Sequence, residues 1–409
     1  MTPDVIFLVL GLSIILGFMA DYLFQRIGFP DVLLLILLGF ILGPGLAGIV
    51  SGSLTDNIME ITPYVAGVAL AIILFDAGLG LDLGMVFGSL RHAVLHTLLE
   101  FFLSIVIVAV IASVLLGWDL ILGLTLGTII GGTSGAIVIP MVKRMRMTDK
   151  ARTILTLEAA ITDVLVIVIA IFLIFLMREQ SASALDAVRV LILSFLLSIA
   201  IGGGAGILWI KALARLQGRP LAYMITLGVV FVIYSITNMI IGESGGGAIA
   251  ALVFGLVLGN RHEVVTRLGM VEEVIEIGRD IIKLNQEITF FVRTFFFVYL
   301  GLFFGTIALG KGDILFSIVI FAGLFFVRWL GVMVERKSLG MNGHDPIGYV
   351  VMMPRGLSAA VLASLPLTSG AVSVEDGNLI VGITVMIILY TTIGASVGAF
   401  VLSRLGRRS

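Results

Sequence analysis

From Thr153 to Met177 the chain reads TILTLEAAITDVLVIVIAIFLIFLM, an apolar run in which only Glu158 and Asp163 carry charge. A run of this length is what a helix needs to cross a hydrocarbon core about 30 Å thick at roughly 1.5 Å per residue. Twelve further runs of the same kind surround it, at approximately 4 to 24, 30 to 48, 61 to 82, 92 to 116, 119 to 142, 188 to 210, 221 to 241, 245 to 259, 288 to 308, 313 to 334, 347 to 366 and 377 to 403. The pattern predicts an all-α polytopic membrane protein of about thirteen transmembrane helices, forming one membrane domain over residues 1–409.

Composition agrees with that reading. Of 409 residues 59% are hydrophobic and 12% charged, against about a quarter charged in soluble domains. Mean hydropathy is +1.20. The 49 glycines suit helices that pack closely in lipid. Net charge is −1, so the sum says nothing of partners and the placement of Lys and Arg is what informs. With the N-terminus outside, nineteen of the 25 basic residues fall on the cytoplasmic side, among them Lys143, Arg144, Arg146, Lys150, Arg152, Arg336 and Lys337. Only Arg178, Arg189 and Lys311 fall outside, and Arg293, Arg328 and Arg355 lie within apolar runs. That asymmetry supports an outside N-terminus and a cytoplasmic C-terminus, and the expected location is the cell (inner) membrane. No cleavable signal peptide is evident, since Met1-Thr2-Pro3-Asp4 lacks a basic n-region. The absence of cysteine excludes disulfides, thiolate metal sites and thiol catalysis.

A weak repeat organises the chain. Ser134-Gly135-Ala136-Ile137-Val138 resembles Ser358-Ala359-Ala360-Val361-Leu362, seven spans later, with Pro140 and Pro366 shortly after. An odd number of crossings makes the two copies antiparallel, an inverted-topology repeat. Both are interrupted, by Gly131-Gly132-Thr133-Ser134-Gly135 and by Pro354-Arg355-Gly356. Broken helices at matching places, crossing at the midplane, point to an ion site, because unwound backbone offers carbonyls and helix ends. Between Asn260 and Gln286 apolar residues recur at helical spacing among charges, which reads as an amphipathic surface helix, with a pH-sensing role for Glu272, Glu273 and Glu276 as the functional alternative.

Charge inside the bilayer is costly, so each intramembrane ionisable residue is a functional candidate. These are Asp76, Glu100, Glu158, Asp163, Arg293, Arg328 and Arg355. Asp21, Arg91, His92 and His96 lie near helix ends, where solvation or snorkelling is expected. Glu158 and Asp163 are about 140° apart around their helix and face different neighbours. If Glu158 takes an arginine, Asp163 is left unpaired and able to hold a proton or release it to a cation.

These residues resemble the Na+/H+ exchangers of the NhaP branch of the cation/proton antiporter superfamily. The sixth helix of that family reads Glu-x-x-x-Asn-Asp, and Glu158-Ala159-Ala160-Ile161-Thr162-Asp163 matches it except at Thr162. Phe75-Asp76-Ala77-Gly78-Leu79, Thr133-Ser134, Glu243-Ser244-Gly245-Gly246-Gly247, Arg328-Trp329-Leu330-Gly331-Val332 and Pro354-Arg355-Gly356 follow in the family's order across nearly the whole chain. The resemblance implies a homodimer with a mobile transport core, approximately 92–177 and 313–403, and a scaffold and dimer interface, approximately 1–91 and 188–308. It implies that Asp163 binds the cation or protons in turn, with Thr133 adding an oxygen and Ser134 and Thr162 beside it. Asp76 would lie near the ion path. Glu158 would pair with Arg328 as a structural brace, with Arg355 the rival partner. The activity implied is secondary antiport of a monovalent cation, Na+ first, for H+, without a cofactor and without enzymatic chemistry. Three departures bear on selectivity: Ser134 where many relatives have Asp, Ala159 where Ser is common, and Thr162 for Asn. Fewer oxygens make K+ a serious alternative.

Other classes fit less well. An intramembrane aspartyl protease needs Tyr-Asp together with Gly-x-Gly-Asp, and the chain contains no Tyr-Asp. Gly305 to Lys311 imitates a phosphate loop, but Gly312 replaces the needed Ser or Thr. The four histidines lack metal-ligand spacing, and no nucleic-acid partner is implied. A sodium-coupled symporter of organic solutes would want a roomier polar cavity. A channel would want a filter loop.

Overall fold

The computed structural model describes residues 3–27, 30–43, 53–80, 91–142, 145, 147–178, 184–216, 222–241, 246–267, 279–307, 309–337 and 340–405. No strand occurs among them, as expected where a lipid environment forces each segment to satisfy its own backbone. The helices are α1 Pro3–Ile27, α2 Asp31–Leu42, α3 Ser53–Gly80, α4 Arg91–Leu116, α5 Leu120–Gly131, α6 Gly135–Val142, α7 Asp149–Arg178 and α8 Ala184–Arg215. They continue as α9 Ala222–Ile241, α10 Gly246–Gly259, α11 Arg261–Arg267, α12 Arg279–Phe304, α13 Lys311–Glu335, α14 Asp345–Val351, α15 Leu357–Thr368 and α16 Val374–Leu405. Seven of the described helices are long and apolar enough to cross a membrane, and six shorter ones are apolar. Large apolar side chains such as Val114, Met239, Leu315, Phe326 and Val334 point outward. That is the surface a lipid solvent selects.

The chain divides into two compact units: Met1–Pro63, Gly88–Ile174 and Thr294–Ser409 form one, and Tyr64–Phe87 with Phe175–Arg293 the other. In the second unit α10 packs against α8 and α9. A side chain at Gly255 would overlap the Phe75 carbonyl and one at Gly78 the Leu252 carbonyl, so glycine lets α3 and α10 touch through their backbones. The segment expected as one amphipathic surface helix contains α11 and the start of α12; Glu272, Glu273 and Glu276 lie outside the described residues. Gly305 to Lys311 joins α12 to α13.

In the first unit both expected interruptions are real. Helix α5, whose start is capped by the Asp119 carboxylate accepting from Leu122 N at 2.7 Å, ends at Gly131, and α6 begins at Gly135. Helix α14 ends at Val351, and α15 begins at Leu357. Glycine costs a helix about 1 kcal/mol relative to alanine, and Pro354 supplies no N–H. The two breaks meet. Ser134 N donates to Pro354 O at 2.9 Å, and Gly356 lies where any Cβ would overlap the Ser134 side chain.

Arg328, on α13, holds this unit together. Its Nη1 binds Oε1 of Glu158 and, at 2.6 Å, Oε1 of Glu100. Its Nε donates to Tyr349 O at 2.7 Å and its Nη2 to Met352 O at 3.1 Å. One guanidinium thus joins α13 to α4, α7, α14 and the second break. The expected partnership of Glu158 with Arg328 is present, but Arg328 answers two carboxylates, so it does not neutralise Glu158 alone. Replacing one partner of a buried pair strands the other, at about 3–5 kcal/mol. Arg328→Gln strands two carboxylates and Glu158→Gln leaves Glu100 in place. Thermal unfolding in detergent should therefore show the larger fall in Tm for Arg328→Gln; equal or inverted losses would contradict the shared brace.

Candidate functional site

Helix α7 presents its polar residues to the breaks. The Thr162 hydroxyl bonds back to Glu158 O at 2.9 Å, the usual recourse of a threonine in a helix interior. From there it accepts from Thr133 N at 3.1 Å and stands 3.2 Å from Thr133 Oγ1. Gly132 allows the approach, since a Cβ there would come 3.1 Å from Thr162 O. Thr133, Ser134 and Thr162 are buried.

Asp163, the next residue, faces the crossing itself. Its Oδ2 accepts from Gly135 N at 2.9 Å and its Oδ1 from Ser358 Oγ at 2.8 Å. Gly135 opens α6 and Ser358 lies in the first turn of α15. The carboxylate therefore sits at the N-terminal, electropositive ends of two half-helices from the two repeats. Among the described residues no basic side chain pairs with it. A neutral donor can be displaced from a carboxylate or retained beside a bound cation, whereas a guanidinium would hold the charge permanently.

Asp163, Thr133, Ser134, Thr162, Glu158, Arg328 and Arg355 all fall in the first unit. Thr133 bonds Thr162 rather than Asp163. Arg355, the rival partner for Glu158, is buried, and its Nε and Nη1 have no hydrogen-bond partner among the described residues. Its backbone N donates to Thr391 Oγ1 at 3.1 Å. Asp76 belongs to the second unit, where Asn285 Nδ2 donates to Asp76 Oδ1 and Tyr223 donates to Asn285 Oδ1 at 2.6 Å. These residues, with Thr226 and Arg261, line a cavity of about 390 Å³.

The structure also relocates His96 and adds Ser358 to the site. His96, expected to be solvated near a helix end, is 1% exposed and lies between Glu100 and Glu335. Ser358, noticed only as part of the repeat, is a direct partner of Asp163. The signal for it was present, because Ser358 occupies the position that matches Ser134.

The family model for transmembrane sodium/hydrogen exchangers matches residues 10–403. A protein named K(+)/H(+) antiporter NhaP, from Alkalimonas amylolytica, is 23% identical over 395 residues, covering 94% of this chain and 64% of its own length. This chain thus spans less than two thirds of that relative. Na(+)/H(+) antiporter 1 of Methanocaldococcus jannaschii is 24% identical over 369 residues, 87% of this chain and 81% of its own. The solved structure of the sodium proton antiporter MjNhaP1 from the same archaeon shares the fold, with a TM-score of 0.78 at 22% identity over 97% of this chain and 100% of that one. With the family model running almost from end to end over a helical fold built around two broken helices, this multi-pass membrane protein belongs to the sodium/hydrogen exchanger family.

Proposed function

We propose that the chain is a secondary antiporter that exchanges a monovalent cation for protons by alternating access at Asp163. The observation that carries the reading is that carboxylate, placed at the crossing of two broken helices and bonded, among the described residues, only by neutral donors. Family membership supports it. The cation is Na+ in the name of the M. jannaschii relative and K+ in that of the A. amylolytica one; Na+ is the first expectation here and K+ the second.

When the site opens to one side, Asp163 loses its proton and takes a cation. The Ser358 hydroxyl can donate to Oδ1 and offer its own lone pair to that ion. The carbonyls freed at the breaks and the Thr133–Thr162 pair supply further oxygens, with Ser134 adjoining. A bare carboxylate is too costly to carry across, so only the protonated or the cation-loaded form moves, which couples the two fluxes. The moving part is a core of approximately 92–177 and 313–403, within a homodimer whose scaffold is approximately 1–91 and 188–308. Asp76, which lines a cavity with Asn285 and Tyr223, serves the ion's route. The expected location is the cell membrane, and the distribution of Lys and Arg supports an N-terminus outside and a C-terminus in the cytoplasm.

In proteoliposomes carrying an internal pH dye, addition of Na+, K+ or Li+ should alkalinise or acidify the lumen according to the imposed gradient. Asp163→Asn should abolish the response while its elution volume and Tm stay near those of the parent; full-rate exchange by that variant would end the reading. Ser358→Ala should raise the cation KM by about tenfold, the scale of one charge-assisted hydrogen bond. One exchangeable carboxylate predicts one proton per cation, so clamping the voltage should leave the rate unchanged.

A further inference from the structure

The exchange at Asp163 makes no use of the buried cluster beside it. Along α4, His96 and Glu100 are one turn apart and share a face. His96 Nε2 lies 3.3 Å from Glu100 Oε2. Glu158 of α7 joins them: one ligand atom from each of His96, Glu100 and Glu158 falls within 4.8 Å of the others, and all three residues are buried. Each glutamate gives one oxygen, Oε1, to Arg328 Nη1. The other oxygen of each, Glu100 Oε2 and Glu158 Oε2, has no hydrogen-bond partner among the described residues, and neither nitrogen of His96 meets hydrogen-bond geometry.

Unpartnered oxygens of carboxylates in a water-poor interior are costly. The surrounding charges do not cancel them. The carboxylates are Glu100, Glu158 and, from the end of α13, Glu335. Against them, among the described residues and with His96 neutral as a metal ligand must be, stand Arg328 and, within electrostatic reach, Arg355, so the anions outnumber the guanidiniums. Tyr349, whose ring centroid is 6.2 Å from that of His96, adds no charge of the needed sign.

We propose that His96, Glu100 and Glu158 form a second cation site that takes a divalent transition-metal ion such as Zn2+, apart from the transported ion at Asp163. Two ligands on a tetrahedral zinc, each about 2.0–2.1 Å from the metal, stand roughly 3.3 Å apart. That is the separation of His96 Nε2 from Glu100 Oε2. One imidazole and two carboxylates are hard-to-borderline donors suited to Zn2+ or Co2+. The other imidazole nitrogen, Nδ1, faces Glu335 Oε2, the place of the outer carboxylate that fixes the ring of a metal-bound histidine. Glu335 is also the way in, since its side chain is 21% exposed while His96 is 1% exposed. A bound ion ties α4 to α7 directly and leaves Arg328 on the far oxygens of both glutamates. The site is regulatory or stabilising, because neither half of the proposed exchange needs it.

The test uses the full-length protein in detergent, stripped with chelator and titrated with Zn2+ or Co2+. Tm should rise with added metal, and Co2+ should develop the visible absorption of a tetrahedral N/O site. His96→Gln and Glu100→Gln should each lose both responses. Glu335→Gln should weaken binding by about 10- to 100-fold, the usual effect of removing such an outer partner. Asp163→Asn should bind as the parent does, which separates failure of this site from failure of the transport site. His344→Gln, a control for adventitious histidine binding, should also bind normally. No metal-dependent rise in Tm, or an undiminished rise in both His96→Gln and Glu100→Gln, would overturn the proposal.

Discussion

A guanidinium buried among helices whose outer faces are apolar must find acceptors inside the protein, and Arg328 finds four of them: two carboxylates and two main-chain carbonyls. The acceptors come from three separate places in the chain, so satisfying this one side chain sets the relative positions of α4, α7, α13 and α14. The carbonyls of Tyr349 and Met352 lie at the end of α14, where a helix leaves its last carbonyls without internal partners. Breaking the helix there is what makes them available. The brace and the interruption therefore require each other.

The same economy of charge separates two carboxylates on one helix. Glu158 and Asp163 differ in direction, and that difference decides their chemistry. Glu158 turns to Arg328 and becomes part of the frame. Asp163 turns to the crossing, where Gly135 N and Ser358 Oγ are its hydrogen-bond donors. Neutral donors at two helix N-termini stabilise an anion without binding it irreversibly. An exchangeable carboxylate needs that condition.

Small residues are the means by which polar groups reach one another. Gly356 lets the second break pass against Ser134, and Gly132 lets the first break press on Thr162. In lipid no hydrophobic force drives helices together, so close backbone approach and interhelical hydrogen bonds take its place. A substitution at either glycine acts on the site through geometry rather than through charge.

The sequence by itself determined the apolar spans, the two interruptions, the inverted repeat and the candidate carboxylates, because each of these is a local property. Run length, helix-breaking residues and charge in an apolar context can all be read along one dimension. It also carried the pairing of Glu158 with Arg328, though only through the order of motifs shared with a family. Only the tertiary structure decided that Glu100 shares Arg328, that Ser358 reaches Asp163, and that His96 is buried between Glu100 and Glu335. Those contacts join residues far apart in the chain, and which face of one helix meets which face of another is fixed by packing. Periodicity tells that two residues share a face, as His96 and Glu100 do, but not what that face meets.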